Sequence, residues 1–202
     1  MHQSSFPVTP GSIAGVTKIL PPKETDAFDL DGLLLGLAAQ QVINSLAQGE
    51  TARLLVNIRF DVFGTRAATE RYAALCMKMD PRVSKHLTLL LTSLPEGLPR
   101  SRQAECIGRL LPYCGAVGFQ VDELVNLATL DLSQGVNPLV ALPAAALASI
   151  PPERINEAIR ALHTRRARVL VRRITSEDDA VNILSLGADM ISMEHSLEPR
   201  PG

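Results

Sequence analysis

Two arginines and one asparagine have the residue types and spacing best suited to binding a ligand. Asn57 and Arg59 lie two positions apart at the end of the apolar run RLLVNI, so in a strand they point to the same face. Arg172 follows a second apolar run, VLV. A guanidinium group is a planar fork of N–H donors that matches phosphate or carboxylate. These three residues predict an anion site, with pairing to Asp61 or Asp122 as the alternative.

The other reactive side chains form no catalytic or metal-binding motif. The four histidines and three cysteines lack metal-ligand spacing, and no GxSxG supports a nucleophilic serine. Only Asp122, Glu123 and Glu194 stand near strand ends as acids for an enzyme. The basic residues 165–168 close a predicted helix, where positive charge complements the helix dipole. We therefore predict no catalytic residue, no metal and no cofactor.

The composition restricts the class of protein. Of the 202 residues, 46% are apolar and 20% charged, enough to bury the core of a single domain. The net charge of −1 and the 3% aromatic content argue against nucleic-acid binding. No apolar run is long enough for a membrane span, no signal peptide is visible, and three cysteines cannot all pair. These features predict a cytoplasmic protein with no nucleic-acid or membrane partner.

Short apolar runs alternate with longer amphipathic segments along the chain, which is the pattern of an α/β protein. The residues predicted to cap helices are Asp29, Thr65, Ser101 and Ser176. There are about seven strand–helix units, and no strand is followed by GxGxxG or GxxxxGK[ST]. A TIM-type (β/α) barrel is therefore favoured over an open doubly wound sheet.

The predicted barrel is one domain over residues 11–202, preceded by a loose segment at residues 1–10. Its strands are placed from the apolar runs and from the turn residues that bound them. The predicted strands are 13–20, 53–58, 86–91, 116–121, 138–142, 169–171 and 188–191.

Several segments resemble, in the same order, the strands of EAL-domain cyclic di-GMP phosphodiesterases, a family that folds as a modified TIM barrel. These segments are TPGSIAGVTKIL, RLLVNI, HLTLLLTS, GAVGFQV and NPLVAL. The most specific match is VLVRRITSEDDAVNILSLGADMISMEHSLEPRP at residues 169–201. It keeps the family's spacing from a strand, through a capped helix, to a final Arg-Pro. The resemblance covers roughly residues 6–201.

The resemblance implies a chemistry that this sequence retains only in part. In the family, carboxylates and an asparagine hold two divalent cations, which activate water to attack a phosphodiester. Asn57 matches the asparagine, whereas Arg172 stands where the family has a glutamate. A two-residue shift would place Asp122 and Glu123 at the family's acidic pair. The other matched positions have lost the family's side chains and hold Thr17, Leu90, Ser93, Gln120, Val121, Val140 and Ser192. We therefore expect a degenerate EAL domain that is not an enzyme.

Three functions are open at this point. Degenerate members of the family generally bind other proteins or bind the dinucleotide without cutting it. The leading hypothesis is a regulatory domain with a protein partner, and self-association is left open. A cyclic di-GMP receptor is less expected, because the connection at residues 20–26 is short and aromatic residues are scarce. The third is an enzyme of unrelated chemistry. The resemblance places Asn57 and Arg172 at the carboxyl ends of the barrel strands, and the period-two pattern places Arg59 beside Asn57. We expect this end of the barrel to be positively charged and to bind an anion.

Overall fold

The structure, a computed structural model, describes residues 14–15, 27–50, 53–63, 65–133 and 138–194. Strands and helices alternate along these ranges, as the apolar runs predict. The described strands form one parallel sheet in which each strand pairs with the next along the chain. They are β1 (Ala14–Gly15), β2 (Leu54–Arg59), β3 (Leu87–Thr92), β4 (Ala116–Gln120), β5 (Leu139–Pro143), β6 (Arg168–Ile174) and β7 (Met190–Met193).

Two helices begin at the N-caps that the sequence predicts. Thr65 Oγ1 accepts a hydrogen bond from Ala68 N at 3.1 Å, and Ser176 Oγ accepts one from Asp179 N at 3.1 Å. Each cap satisfies one of the backbone N–H groups that a helix start leaves without a partner. The described helices are α1 (Ala27–Ala47), α2 (Arg66–Cys76), α3 (Pro81–Ser84), α4 (Arg100–Leu110), α5 (Pro152–Thr164) and α6 (Glu177–Ser185).

Two other predicted caps are wrong. Helix α1 begins at Ala27, so Asp29 lies inside its first turn. Acidic residues are favoured in a first turn as well as at an N-cap, so Asp29 could not fix the boundary. Helix α4 has Pro99 as its N-cap residue, with φ of −58°, and Ser101 lies one residue inside the helix. The fixed φ of proline suits a helix start and moves this boundary towards the N-terminus.

The sheet is curled, so that strands distant in its order face one another. Three strands separate β2 from β6. On a flat sheet this would hold them roughly 19 Å apart, at about 4.8 Å per strand. Arg172 on β6 nevertheless donates a hydrogen bond to Asn57 on β2 at 3.1 Å. The described strands include no pairing between β1 and β7. The structure therefore shows a curled parallel sheet, and closure into a TIM-type barrel stays a prediction.

The two faces of the sheet carry separate apolar clusters. The outward cluster contains Leu54, Val56 and Leu89, together with buried residues of the helices. Gly118 on β4 faces the other side, where a Cβ atom would lie 2.7 Å from the backbone oxygen of Leu139. The inside of the curl is therefore tightly filled at this level. The inward cluster consists of Leu55, Leu90, Leu139, Ala141, Leu170 and Met190.

Some sequence predictions concern residues outside the described ranges. They are the loose segment at residues 1–10, most of the strand predicted at 13–20, Thr17, and the short connection at 20–26. Within the described ranges, no helix is long and apolar enough to cross a membrane. The three cysteines, Cys76, Cys106 and Cys114, are free and buried.

Candidate functional site

Polar residues replace the apolar cluster towards the carboxyl ends of the strands. We call this group the mouth: Asn57 on β2, Gln120 on β4, Arg172 on β6 and Ser192 on β7. Each lies two positions beyond an inward-facing residue of its own strand, so its side chain points to the inside of the curl. Parallel α/β barrels place their ligand sites at this end of the strands. The mouth is therefore the candidate site.

Arg172 is the centre of the mouth. Its Nη1 atom donates to Asn57 Oδ1 at 3.1 Å and to Gln120 Oε1 at 2.8 Å. A guanidinium group can only donate, so both amides turn their oxygens towards it and their NH₂ groups away. Gln120 Nε2 then donates to Asp122 Oδ1 at 3.0 Å. Hydrogen bonds thus connect Asp122 through Gln120 and Arg172 to Asn57.

The charge of Arg172 is half-buried and faces neutral partners. Burial lowers the pKa of Arg172, and the nearby charge of Arg173 lowers it further. A lowered pKa means that the protonated form is less stable in the folded protein than in water. Arginine nevertheless stays protonated at neutral pH. Among the described residues, the groups that contact this charge are two amide oxygens.

An irregularity in β6 separates Arg172 from its neighbour Arg173. The pairing between β6 and β7 shifts between Arg172 and Ile174, and Arg173 has φ of 62°. Arg173 Nη2 donates to Glu194 Oε1 at 3.3 Å. The adjacent arginines therefore have different partners, a carboxylate for Arg173 and amide oxygens for Arg172. Glu194, which the sequence offers as an acid for catalysis, forms this ion pair.

Arg59 has a hydrogen-bond partner of its own, Asp61. Its Nε atom donates to Asp61 Oδ1 at 3.2 Å, and its Nη2 atom forms an ion pair with the other carboxylate oxygen. Asp61 belongs to the 3-10 turn Phe60–Phe63 that follows β2, so the pair joins residues two apart. Of the three residues in the predicted anion site, the structure brings Asn57 and Arg172 together. It pairs Arg59 with the acid that the sequence offers as the alternative partner.

The mouth does not fit the divalent cations that the resemblance implies. Its amide oxygens, on Asn57 and Gln120, already accept hydrogen bonds from Arg172. Asp122 and Glu123 follow β4 as exposed residues, and Val121 before them is buried in the outward cluster. Within the described ranges, no group of three His, Cys, Asp or Glu residues could hold a metal ion. A cation at the mouth would face the positive charge of Arg172.

Other reactive groups serve the packing of the fold. His163 Nε2 lies 3.0 Å from Asp189 Oδ2, and the same oxygen accepts from Val169 N at 2.6 Å. These contacts join α5 to the start of β6. Burial raises the pKa of the Cys76 and Cys114 thiols to about 12. Both thiols stay protonated at neutral pH, so neither is a ready nucleophile.

The sequence does not identify Gln120 as the partner of Arg172. The alternation of inward and outward residues places Gln120 on the inner face of the run AVGFQV, which is the available signal. The contact itself joins residues 52 positions apart and depends on the curl of the sheet.

The fold is similar to that of EAL domains of known structure. The FimX EAL domain aligns with a TM-score of 0.63 at 12% identity, over 85% of this chain and 73% of that chain. The EAL domain of Xanthomonas citri FimX, in complex with c-diGMP, gives 0.58 at 16% identity, over 82% and 67%. The PaMucR phosphodiesterase, in a c-di-GMP complex, gives 0.59 at 13% identity, over 80% and 72%. At such identities the likeness establishes an EAL-like α/β fold. No protein-family model matches the sequence, and no curated protein matches it significantly.

Proposed function

We propose that this protein is an EAL-like regulatory domain that does not hydrolyse cyclic di-GMP and that acts by binding another protein. The proposal includes closure of the curled sheet into the modified TIM-type barrel and a cytoplasmic location. The observation that carries it is the presence of Arg172 at the mouth, hydrogen-bonded to Asn57 and Gln120.

The loss of hydrolysis rests on the sign of the charge at this position. The resemblance places a cation-binding glutamate where this chain has Arg172. At ~4 Å and an effective dielectric constant of ~20, two unit charges interact by about 4 kcal/mol. Replacing a glutamate by an arginine turns that attraction for a cation into a repulsion. Without bound cations, the metal-activated water on which the family's reaction depends is not formed.

The outer surface has open grooves where a protein partner could bind. A groove of about 630 Å³ runs along the N-terminal part of α5, and a second groove shares Leu124 and Ala158 with it. Apolar and charged side chains line the larger groove together, a mixture that a protein interface can use but that other protein surfaces share. The residues that line the larger groove are Leu124, Ser149, Ile150, Pro151, Arg154, Glu157 and Ala158.

A cyclic di-GMP receptor without hydrolysis is the second candidate function. The observation in its favour is that EAL domains of similar fold have been solved with the dinucleotide bound. The positive charge of Arg172 also suits a phosphodiester. The two candidates differ in whether the nucleotide stabilises the protein at micromolar concentration.

Two assays with purified protein test the proposal. Cyclic di-GMP is incubated with Mg²⁺ or Mn²⁺ and product is followed by chromatography, with an active EAL phosphodiesterase as the positive control. We expect no product, and metal-dependent turnover that Asn57→Ala abolishes would contradict the proposal. A ligand at a hundred times its Kd stabilises a protein by about 2.7 kcal/mol. We expect micromolar cyclic di-GMP to leave the Tm unchanged. A saturable rise in Tm would favour the receptor.

Affinity capture from the native host tests the protein partner. We expect one protein to be retained by the parent chain and to form a complex with it when both are purified. If no retained protein re-forms a complex from purified components, the protein-binding half of the proposal fails.

A further inference from the structure

Arg172 has donor capacity that its observed contacts do not use. An arginine side chain carries five N–H donors on three nitrogen atoms. Both contacts of Arg172 come from Nη1. Among the described residues, no acceptor contacts its Nε or Nη2 atom. These two atoms form one edge of the guanidinium fork, the geometry that receives a carboxylate or a phosphate through two parallel hydrogen bonds.

The charge at this edge is uncompensated as well. Arg59, Arg82 and Arg173 each form an ion pair with a carboxylate. Arg172 is half-buried, and within the described ranges its partners are the amide oxygens of Asn57 and Gln120. A buried charge is costly unless it is paired. An anion at the open edge would supply the missing pair.

The neighbouring groups prepare the mouth for an anion. Two hydrogen bonds from the single Nη1 atom restrict rotation of the guanidinium plane, so Asn57 and Gln120 are positioning residues. Because Asn57 turns its oxygen to Arg172, its NH₂ group is left as a further donor. Ser192 pairs with Arg172 in the register of β6 and β7 and is half-buried, which places a hydroxyl on the next strand.

We infer that the mouth binds an oxyanion, a phosphate group or a carboxylate, through the Nε–Nη2 edge of Arg172. The inference rests on the proposed function in one respect, which is that the mouth holds no divalent cations. It narrows the predicted anion site to Arg172 as the binding residue, because Arg59 already forms an ion pair with Asp61. Asn57 and Gln120 hold the guanidinium in place.

The test is a titration of the full chain with inorganic phosphate at constant ionic strength, followed by the ¹⁵N-edited NMR signals of the arginine Nε–H groups. Two charge-assisted hydrogen bonds predict a dissociation constant on the order of 1 mM. We expect one Nε–H signal to shift saturably and to be absent from Arg172→Gln. In that variant, phosphate binding should weaken at least tenfold.

Arg173→Gln is the matched control, because it removes the same charge from the adjacent residue, whose partner is Glu194. We expect it to bind phosphate within about twofold of the parent. Equal weakening in both variants would mean that phosphate responds only to net charge, which would overturn the inference. If Arg172→Gln does not fold, Arg172→Lys serves instead, since it keeps the charge and loses the planar fork. Binding should then weaken severalfold.

A parallel titration with acetate distinguishes the source of the anion. Saturation by acetate at the same concentration as phosphate indicates a partner's carboxylate, and preference for phosphate indicates a phosphorylated ligand. If neither anion moves the Arg172 signal, the inference fails while the hydrolysis result stands. If metal-dependent hydrolysis is found, the proposed function fails whatever the phosphate titration gives.

Discussion

Replacing Gly118 by alanine tests the filled interior of the curled sheet. Gly118 lies on β4, and a side chain at this position would point into the inward cluster. A Cβ atom there would lie 2.7 Å from Leu139 O, 2.8 Å from Leu139 Cβ and 3.1 Å from Leu90 Cδ1. Leu139 O is a backbone atom of β5 and Leu139 Cβ is bonded directly to that backbone. Rotation of a side chain therefore cannot relieve these two close contacts. One methyl group therefore forces two neighbouring strands apart.

Two opposing effects determine how much the Gly118→Ala substitution lowers the free energy of unfolding. Overpacking a dense core costs about 1–3 kcal/mol, and the rigid contacts place this site near the upper end. Replacing glycine in a strand recovers about 0.5–1 kcal/mol of backbone entropy. The net prediction is a free energy of unfolding lower by about 1–2 kcal/mol. For a chain of this size, the corresponding fall in Tm is roughly 2–8 °C.

Urea unfolding followed by circular dichroism measures this difference. Gly36→Ala is the matched control, because Gly36 lies in α1 and a Cβ atom there meets nothing within 4 Å. The same substitution should raise the free energy of unfolding there by about 0.5–1 kcal/mol. If Gly118→Ala were as stable as the parent, the close approach of β4 and β5 inside the curl would be refuted.

Four further substitutions test the helix caps, the acid sensitivity and the mouth by the same method. Thr65→Ala should lower the free energy of unfolding by about 1 kcal/mol, because it removes the acceptor for Ala68 N. Ser101→Ala should change it little, because Ser101 is not the N-cap residue of α4. Equal losses of stability in the two variants would contradict the assigned caps. Hydrogen bonds from Arg82 hold the pKa of Asp80 at about 2, below its ordinary value of 3.8. The ionised carboxylate of Asp80 therefore stabilises the fold above about pH 4, and this stabilisation is lost as the pH falls towards 2. Asp80→Asn should reduce the change in the free energy of unfolding between pH 4 and pH 2. An unchanged dependence on pH would contradict the lowered pKa of Asp80. Arg172→Met should leave the free energy of unfolding unchanged or raise it by about 1 kcal/mol, since burial disfavours the charge. A loss above about 2 kcal/mol would mean that the hydrogen bonds of Arg172 stabilise the fold.

The local elements of the fold are the part that the sequence predicts well. Apolar runs of β-branched residues and leucine locate β2 to β6 to within a few residues, because the strands are buried on both faces. Thr65 and Ser176 mark helix starts because their side chains bond to backbone three residues away. The caps at Asp29 and Ser101 fail because acidic and hydroxyl residues also occur inside first turns.

The candidate site is predictable only in part, because its contacts are long-range. Arg59 and Asp61 are two residues apart, so the sequence offers their pairing as an alternative and the structure contains it. The contact from Arg172 to Asn57 spans 115 positions, and it forms because the sheet curls β6 towards β2. Period-two patterning shows which face each side chain occupies. It does not show which side chains meet across that face.

We propose that Arg172 stands where the divalent cations of EAL domains would bind, and the loss of hydrolysis depends on this placement. A titration of the full chain with Mn²⁺, followed by electron paramagnetic resonance, measures this most directly. We expect no saturable binding up to about 1 mM, since the amide oxygens of Asn57 and Gln120 are held by Arg172 and a cation there would be repelled. Saturable binding at micromolar Mn²⁺, abolished in Asn57→Ala, would contradict the account.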